Sequence, residues 1–193
     1  MNELSENVWH ADNQQVTRER KISNEYFSGF VDGEGCFYVG FSKRDDLPLK
    51  WQIITEFHLS QNLGGKNILE AFQRRLGCGY IKLNHPKNPK DKSWVLVVKD
   101  RRDLKERLIP FFKKYPPHSQ KRYDFLTFAR VLEIIGKREH LKPEGFRKIV
   151  NLVFKLSKSS AKRYSKEELL FSGHLRDCTP ESSKRGQDIV RTV

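Results

Sequence analysis

The pattern of apolar positions changes its period within the stretch EYFSGFVDGEGCFYVGF. Up to Glu34 the apolar residues recur at steps of three and four, which places them on one face of a helix. After Gly35, which is expected to let the backbone leave the helix, large apolar residues alternate with small or polar ones, as in a strand. With Asn24 as a good N-cap residue, the pattern predicts a helix over about 24–34 and a strand over about 36–43.

The same two periodicities continue to about residue 156 and divide the chain into short elements. Further strands are predicted over 50–59, 80–83 and 93–99, and further helices over 66–76, 103–114, 119–135 and 144–156. The order αββαββα, with helices after it, predicts an α+β fold of two hairpins and their helices. Residues 1–22 are predicted to be a polar N-terminal extension, 23–157 the folded domain and 158–193 a largely irregular tail. Within that tail, 164–171 could form a small helix packed on the domain.

The net charge of the chain indicates a class of binding partner. The 193 residues include 37 Lys and Arg against 24 Asp and Glu, a formal net charge of +13 at pH 7. An excess of this size favours a polyanionic partner, most simply nucleic acid. An anionic membrane surface is disfavoured, because no strongly amphipathic Lys/Arg-rich helix leaves an apolar face open.

The outward face of the predicted sheet is where such a partner would bind. Alternation directs Phe37, Val39, Phe57 and Leu59 toward the helices and leaves a mainly polar, hydrogen-bonding set on the other side. Side chains of this kind read base edges in a major groove, although an ordinary solvated sheet face would show the same alternation. The candidate DNA-contacting residues are Tyr38, Gly40, Ser42, Arg44, Gln52, Ile54, Glu56, His58, Lys82 and Asn84.

Cysteine usage and apolar runs bear on the compartment. Cys36, Cys78 and Cys178 are odd in number and far apart, so neither a disulfide framework nor a zinc pattern is present and a reducing compartment is expected. No apolar run approaches membrane-spanning length, and the first twenty or so residues do not resemble a signal peptide. We therefore expect no membrane partner and no secretion. No small-molecule cofactor is expected either. The expected location is a bacterial cytoplasm, or an organelle matrix or stroma if the gene is organelle-encoded.

The stretch FSGFVDGEG, residues 27–35, resembles the signature motif of the LAGLIDADG homing endonucleases over its full length. The predicted order of elements is also similar to the αββαββα core of that family, whose antiparallel sheet is saddle-shaped. One copy of the motif is present, and single-motif members act as homodimers. The last segment resembles the C-termini of reading frames inside group I introns, which implies an intron-encoded protein. The dimer-interface residues implied by the resemblance are Phe27, Gly29, Phe30, Asp32 and Gly33.

The resemblance gives the end of this helix a chemical role. Gly29 and Gly33, four residues apart, would let two such helices approach closely, and twofold packing would bring two copies of Glu34 together. Paired carboxylates need cations between them, and Mg²⁺ suits an all-oxygen site. By the family pattern Glu34, at a position where Asp is usual, and the carbonyl of Gly33 bind metal. Asp32 is expected to be structural, capping or bonding across the interface.

Two further catalytic residues are implied by the resemblance. Gln61, two residues beyond the predicted second strand, matches a family residue that orders metal or the nucleophilic water. A basic residue in HSQKRYDF usually lies by the scissile phosphate, and Lys121 is the candidate. Gln120 stands where many relatives carry a first Lys, so a phosphate-positioning or plain surface role for Lys121 stays open.

The resemblance implies a site-specific DNA endonuclease that functions in intron homing. It would bind a long, near-palindromic double-stranded site as a homodimer and make a Mg²⁺-dependent staggered break with 3′ overhangs. The alternative is an RNA maturase or a non-cleaving DNA-binding regulator on the same fold. Such proteins commonly lose the acidic residue, and because Glu34 and Gln61 are both present the nuclease is favoured.

Overall fold

The computed structural model describes residues 22–88, 90, 92–156 and 163–171. Its first half contains α1 (Asn24–Glu34), β1 (Gly35–Lys43), β2 (Trp51–Gln61), α2 (Lys66–Leu76), β3 (Tyr80–Leu83) and β4 (Trp94–Val98). Its second half contains α3 (Arg101–Asp103), a π-helical segment (Leu104–Leu108), α4 (Ile109–Lys114), α5 (Lys121–Gly136), α6 (Pro143–Val153) and α7 (Lys166–Phe171). The first three of these follow one another without a break and form the predicted third helix of the core. The predicted α+β order αββαββα, with helices after it, is confirmed.

The four strands form one antiparallel sheet in the order β1-β2-β4-β3. In β1 and β2, Phe37 lies opposite Phe57 and Tyr38 lies opposite Glu56. Because directly paired residues of antiparallel strands share a face, these two pairs define the inner and outer faces of the sheet. The hairpins therefore lie side by side, with β1 and β3 at the edges.

The inner face and the helices enclose an aromatic core. The ring centroid of Phe37 is 5.3 Å from those of Phe57 and Phe112, and 5.7 Å from that of Phe128 on α5. The predicted inward residues Phe37, Val39, Phe57 and Leu59 are all buried. Phe41, which follows them on the inner face of β1, is only partly buried and packs against Phe146 of α6. Both faces of β4 are buried, so alternation alone could not orient this strand.

The ends of α1 differ in detail from the sequence prediction. Ser23, not Asn24, is the N-cap, since its hydroxyl accepts a hydrogen bond from the amide of Tyr26 at 3.1 Å. Gly35 has φ −81° and ψ 154°, an extended conformation open to any residue. Glycine is required there for space, because a Cβ would lie 2.5 Å from Cγ1 of Val31. The helix thus passes directly into β1 through close contact, not through a left-handed turn.

The segment after the family-like core also joins the domain. The small helix predicted within 164–171 is confirmed as α7, and its Leu169 is 1% exposed in the main core. Residues 1–21 and the remainder of the predicted tail lie outside the described residues. Across the described part of the chain, no helix is long and apolar enough to cross a membrane.

Candidate catalytic site and DNA-facing surface

Glu34 is the last residue of α1 and is exposed, as is Gly33 before it. Its position is fixed because the next residue, Gly35, packs on Val31 and pairs with Leu59 to start β1. The carboxylate and the neighbouring main-chain carbonyl are hard oxygen donors, which fits Mg²⁺ or another hard divalent cation. Among the described residues, no three His, Cys, Asp or Glu side chains are grouped to hold a metal.

Lys121 begins α5 and is brought to the same end of β1. Its main-chain amide donates a hydrogen bond to the hydroxyl of Ser119 at 3.2 Å. Burial raises the pKa of the Cys36 thiol, and the nearby positive charge of Lys121 partly opposes that rise. Lys121 is therefore near Cys36, which follows Glu34 by two residues at the start of β1.

Asp32 fixes the segment that carries Lys121. Its carboxylate accepts hydrogen bonds from the amides of His118 and Ser119, at 2.8 and 3.0 Å, and from the hydroxyl of Ser119 at 2.7 Å. Burial alone would raise the pKa of Asp32, but these hydrogen bonds outweigh it and lower the pKa. Within one protomer Asp32 therefore forms a clamp between α1 and the start of α5, and its bonding across the interface stays a prediction.

Gln61 is the last residue of β2, which ends two residues later than predicted. It lies two positions beyond Leu59, the partner of Gly35, and is therefore about 7 Å along the strand from the start of β1. Its side-chain oxygen accepts a hydrogen bond from the amide of Asn62 at 2.7 Å, which turns the side chain toward the Leu63–Gly65 turn. The role of Gln61 in ordering water or metal stays a prediction.

The outer face of β1 and β2 carries a connected polar group. Nε2 of His58 lies 2.9 Å from Oε2 of Glu56, and the His58 ring is nearly parallel to the ring of Tyr38, with centroids 6.2 Å apart. Tyr38 and Glu56 are direct cross-strand partners. The phenol of Tyr38 is folded over Gly40, which is itself buried. Gly40, a predicted DNA-contacting residue, is therefore covered by Tyr38, another residue of the same set.

The remaining predicted contact residues lie along the same face or at its ends. Arg44 donates from Nε and Nη2 to the carboxylate of Asp46, each at 2.9 Å, and from Nη1 to Oε1 of Gln52 at 3.4 Å. Lys82 is exposed on β3, and Asn84 just beyond it is partly buried. Ser42 and Ile54, opposite Gln52 and Gly40 respectively, are partly buried on β1 and β2.

Sequence reasoning missed two features of this surface. Val95 and Val97 of β4 lie opposite Ser60 and His58 and so belong to the outer face, although both are buried. Exposed Tyr80 on β3, with Nζ of Lys99 5.5 Å from its ring centroid, adds an aromatic group at the far edge. Alternation along β3 puts Tyr80 on the same side as Lys82 and Asn84, although Tyr80 is not among the predicted DNA-contacting residues.

A family model described as LAGLIDADG endonuclease matches residues 27–132, more than half of the chain. The chain belongs to the LAGLIDADG endonuclease family. A probable intron-encoded endonuclease 3 of Neurospora crassa is 31% identical over 133 residues, which are 68% of this chain and 24% of that protein. DNA endonuclease I-CeuI of Chlamydomonas moewusii is 25% identical over 138 residues, 69% of this chain and 60% of that protein.

Solved structures of LAGLIDADG-type endonucleases share the fold. The homing endonuclease I-TnaI is 32% identical with a TM-score of 0.66, covering 77% of this chain and 93% of that one. The archaeal intron-encoded homing endonuclease I-Vdi141I, solved in complex with DNA, is 28% identical with a TM-score of 0.68. The alignment covers 76% of this chain and 91% of that one. The match to several curated relatives is partial, since this LAGLIDADG chain spans 24% to 34% of the length of three of them.

Proposed function

We propose that this LAGLIDADG protein is a site-specific DNA endonuclease that functions in intron homing and acts as a homodimer. The observation that carries the proposal is the exposed face of α1, which ends at Glu34. Among the described residues, no atom outside α1 lies within 4 Å of a Cβ added at Gly29 or Gly33. Glycine in a helix costs about 1 kcal/mol relative to alanine, and the described part of the protomer shows no contact that requires glycine at either position.

A second copy of α1 supplies that reason. The two glycines leave a flat strip on which the backbone of another helix can pack closely. Tyr26, 55% exposed, and partly buried Phe30 flank the strip, with their rings nearly parallel and 6.3 Å apart. Packing about a twofold axis would cover this small and apolar surface, together with Asp32 near it. The same packing would also bring the two Glu34 carboxylates together. Phe27, by contrast, was predicted at the interface but is 2% exposed and packs against Phe72 in the core of the protomer.

The Glu34 carboxylates and the Gly33 carbonyls would hold Mg²⁺, which would supply the neutralising positive charge and the means to activate a water for attack on phosphorus. The protein residues then hold the reacting groups in place. Gln61 orients the water, and Lys121, held by the Asp32 clamp, stabilises negative charge on the scissile phosphate. One centre acts on each strand, across the minor groove between the half-sites, and the products carry 3′ overhangs and 5′ phosphates.

The outer face of each sheet supplies the DNA-binding surface. Two twofold-related sheets would lie in successive major grooves of a long, near-palindromic site. The polar members of the predicted DNA-contacting set, from Tyr38 on β1 to Asn84 after β3, would contact base edges. The +13 formal charge supports tight and strongly salt-dependent binding through the phosphates. We expect the protein to act where the intron DNA lies, in a bacterial cytoplasm or in an organelle matrix or stroma.

Replacement of Glu34 by Gln tests the catalytic assignment. The variant loses a negative charge at the metal without losing a groove contact. We expect Mg²⁺-dependent cleavage of a duplex that joins the exons flanking the intron to fall by at least about a hundredfold, with DNA affinity largely retained. Glu25→Gln is the matched control, because Glu25 is also an exposed carboxylate of α1 but lies in its first turn.

Near-native cleavage by Glu34→Gln would refute the assigned role. A wild-type protein that binds the joined-exon duplex but never cuts it, with Mg²⁺ or Mn²⁺, would instead support a regulator. A wild-type protein that binds only the intron RNA would support a maturase. End-mapping of the products tests the geometry, since blunt ends or 5′ overhangs are incompatible with it.

Replacement of Gly29 by Leu tests the assembly. A leucine at this position would separate the two α1 helices, so we expect the variant to sediment as a monomer and to lose cleavage. Gly136→Leu is the matched control, because a Cβ at this other helical glycine also meets nothing within 4 Å but lies at the end of α5. A wild-type protein that is monomeric at micromolar concentration and fully active would contradict the homodimer.

A further inference from the structure

The segment Arg163–Phe171 lies beyond residues 27–132, which the family model matches, yet it is fixed to the sheet. At one end, Leu169 of α7 is buried in the core. At the other, the ring of Tyr164 packs edge-on against Trp51 of β2, with centroids 4.8 Å apart. Between them, Ser165 and Glu168 form a reciprocal cap, with bonds of 3.0 Å from the Glu168 amide to the Ser165 hydroxyl and 2.6 Å from the Ser165 amide to the Glu168 carboxylate. Arg163 is therefore held at a defined place.

That place is at the edge of β1, which is an edge strand. Arg163 and Tyr164 line a cavity of about 130 Å³ together with Tyr38, Ser42 and Ile54 of the outer face and with inward-facing Phe41 and Val153 of α6. The hydroxyl end of the Tyr38 phenol lies over Gly40, which also lines this cavity. Burial and then Glu56 raise the pKa of Tyr38, while the nearby charge of Arg163 opposes the rise. An arginine and two hydroxyl groups thus meet at one edge of the proposed DNA-binding surface.

The chemistry of this edge suits a phosphate. The Arg163 guanidinium is exposed and lies 5.6 Å from the Tyr164 ring centroid, an arrangement that orients the guanidinium and leaves N–H donors for a ligand. Arginine donors match phosphate oxygens in a bidentate geometry, and hydroxyl groups add neutral donors. The surrounding sequence from Lys155 to Lys166 contains basic residues and no acidic one.

We propose that Arg163, assisted by the hydroxyls of Tyr38 and Ser42, binds a backbone phosphate of the DNA at the outer edge of β1. The segment beyond the family core would then extend the DNA contact of each protomer and fix the register of the duplex on the sheet. A phosphate contact positions the DNA and carries no base preference. This inference rests on the proposed function.

The test is the salt dependence of DNA binding by Arg163→Gln, which keeps a polar side chain of similar reach over Tyr164. Dissociation constants for the joined-exon duplex are measured by fluorescence anisotropy without divalent metal across a range of salt concentrations. Each lost phosphate contact should reduce the slope of log K against log salt by about 0.9, so a homodimer should lose about twice that. The ranking of base-substituted duplexes should not change.

Arg102→Gln is the matched control. Arg102 is an exposed arginine on α3 that pairs with Glu106 and lies in the helical layer, so removing its charge should leave the slope near the wild-type value. Tyr38→Phe removes one of the assisting hydroxyls. Its effect on affinity should be smaller in the Arg163→Gln background than in the wild type, because both groups serve one phosphate.

The outcomes are distinguishable. A wild-type slope in Arg163→Gln, with the parent protein binding and cleaving its site, overturns this inference alone. A reduced affinity accompanied by a lower thermal midpoint and an unchanged slope shows a purely structural role over Tyr164 and Trp51, and also overturns it. A parent protein that does not bind duplex DNA overturns the proposed function, and this inference with it.

Discussion

Replacement of Asp32 by Asn probes the clamp that joins α1 to the start of α5. The carboxylate accepts three hydrogen bonds, at 2.7 to 3.0 Å, from His118 and Ser119. An asparagine keeps one acceptor oxygen but directs its amide N–H₂ toward a main-chain N–H. At least one backbone donor would therefore lose its partner, and the remaining bonds would lose the assistance of the negative charge.

The expected loss of stability in Asp32→Asn follows from the charge and the exposure of the Asp32 carboxylate. A hydrogen bond to a charged acceptor contributes about 1.5–3 kcal/mol, and since solvent reaches part of the Asp32 carboxylate we expect a net loss of about 2 kcal/mol. For a domain of this size that loss corresponds to a decrease of about 4–8 °C in the thermal midpoint. Asp46→Asn is the matched control, because Asp46 is an exposed carboxylate whose side chain is 61% accessible. Its replacement should leave the midpoint nearly unchanged.

The pH dependence gives a second, independent reading of the same clamp. The pKa of Asp32 is lowered below its ordinary value of 3.8, so its contribution to stability is complete above that value and is lost as the pH falls through the lower folded value. Between neutral pH and that range the wild type should exceed Asp32→Asn in stability, and the difference should shrink as acid protonates the carboxylate.

Thermal unfolding followed by circular dichroism, at several pH values and at two or more protein concentrations, measures both effects. The concentration series separates loss of the clamp from loss of assembly, since only the second makes the change in midpoint concentration-dependent. If Asp32→Asn matched Asp46→Asn at neutral pH, or if its deficit did not shrink in acid, the assignment of the clamp would be wrong.

Two further predictions concern the core. Phe57 is 0% exposed and packs between Phe37 and Phe112. Its replacement by Ala should lower the free energy of unfolding, measured in urea, by about 3–5 kcal/mol. Phe171→Ala, at an exposed site, should lower it far less. Equal effects would contradict the packing. Burial, and after it the charge of Asp103, raises the pKa of the Cys78 thiol to about 11. Iodoacetamide at pH 8 should therefore leave Cys78 unmodified in the native protein and label it in denaturant, by peptide mass spectrometry, and rapid native labelling would refute its burial.

The elements that sequence patterns predicted well are those whose ends coincide with a change of period or with glycine. The bounds of α1, α2 and β3 all agree with the structure. For α2, Gly77 explains the agreement, because its φ of 69° ends the helix in a left-handed conformation that most other residues avoid. The sequence could not show which residues of β4 face the helices. Both faces of this strand are buried, so its residues do not alternate between apolar and polar.

The parts of the candidate site that sequence could not predict depend on contacts between distant segments. The motif predicted a structural Asp32, but only the fold identifies His118 and Ser119 as its partners. Lys121 was chosen from the family pattern, whereas its place near Cys36 depends on how α5 packs beneath β1. Similarly, a period of two correctly put Gly40 on the outer face, yet it could not show that the phenol of Tyr38 lies over it.

The contact between Tyr38 and Gly40 has a consequence for changing the target of this protein by selection. Any side chain at position 40 would occupy the volume of the Tyr38 phenol, so a substitution there also moves the neighbouring residue. A library that varies position 40 alone would mostly sample displaced tyrosines, not new base contacts. Variants that recognise a new site should therefore carry paired changes, with a smaller residue at 38 whenever 40 becomes larger. For protein engineering, positions 38 and 40 therefore have to be varied together.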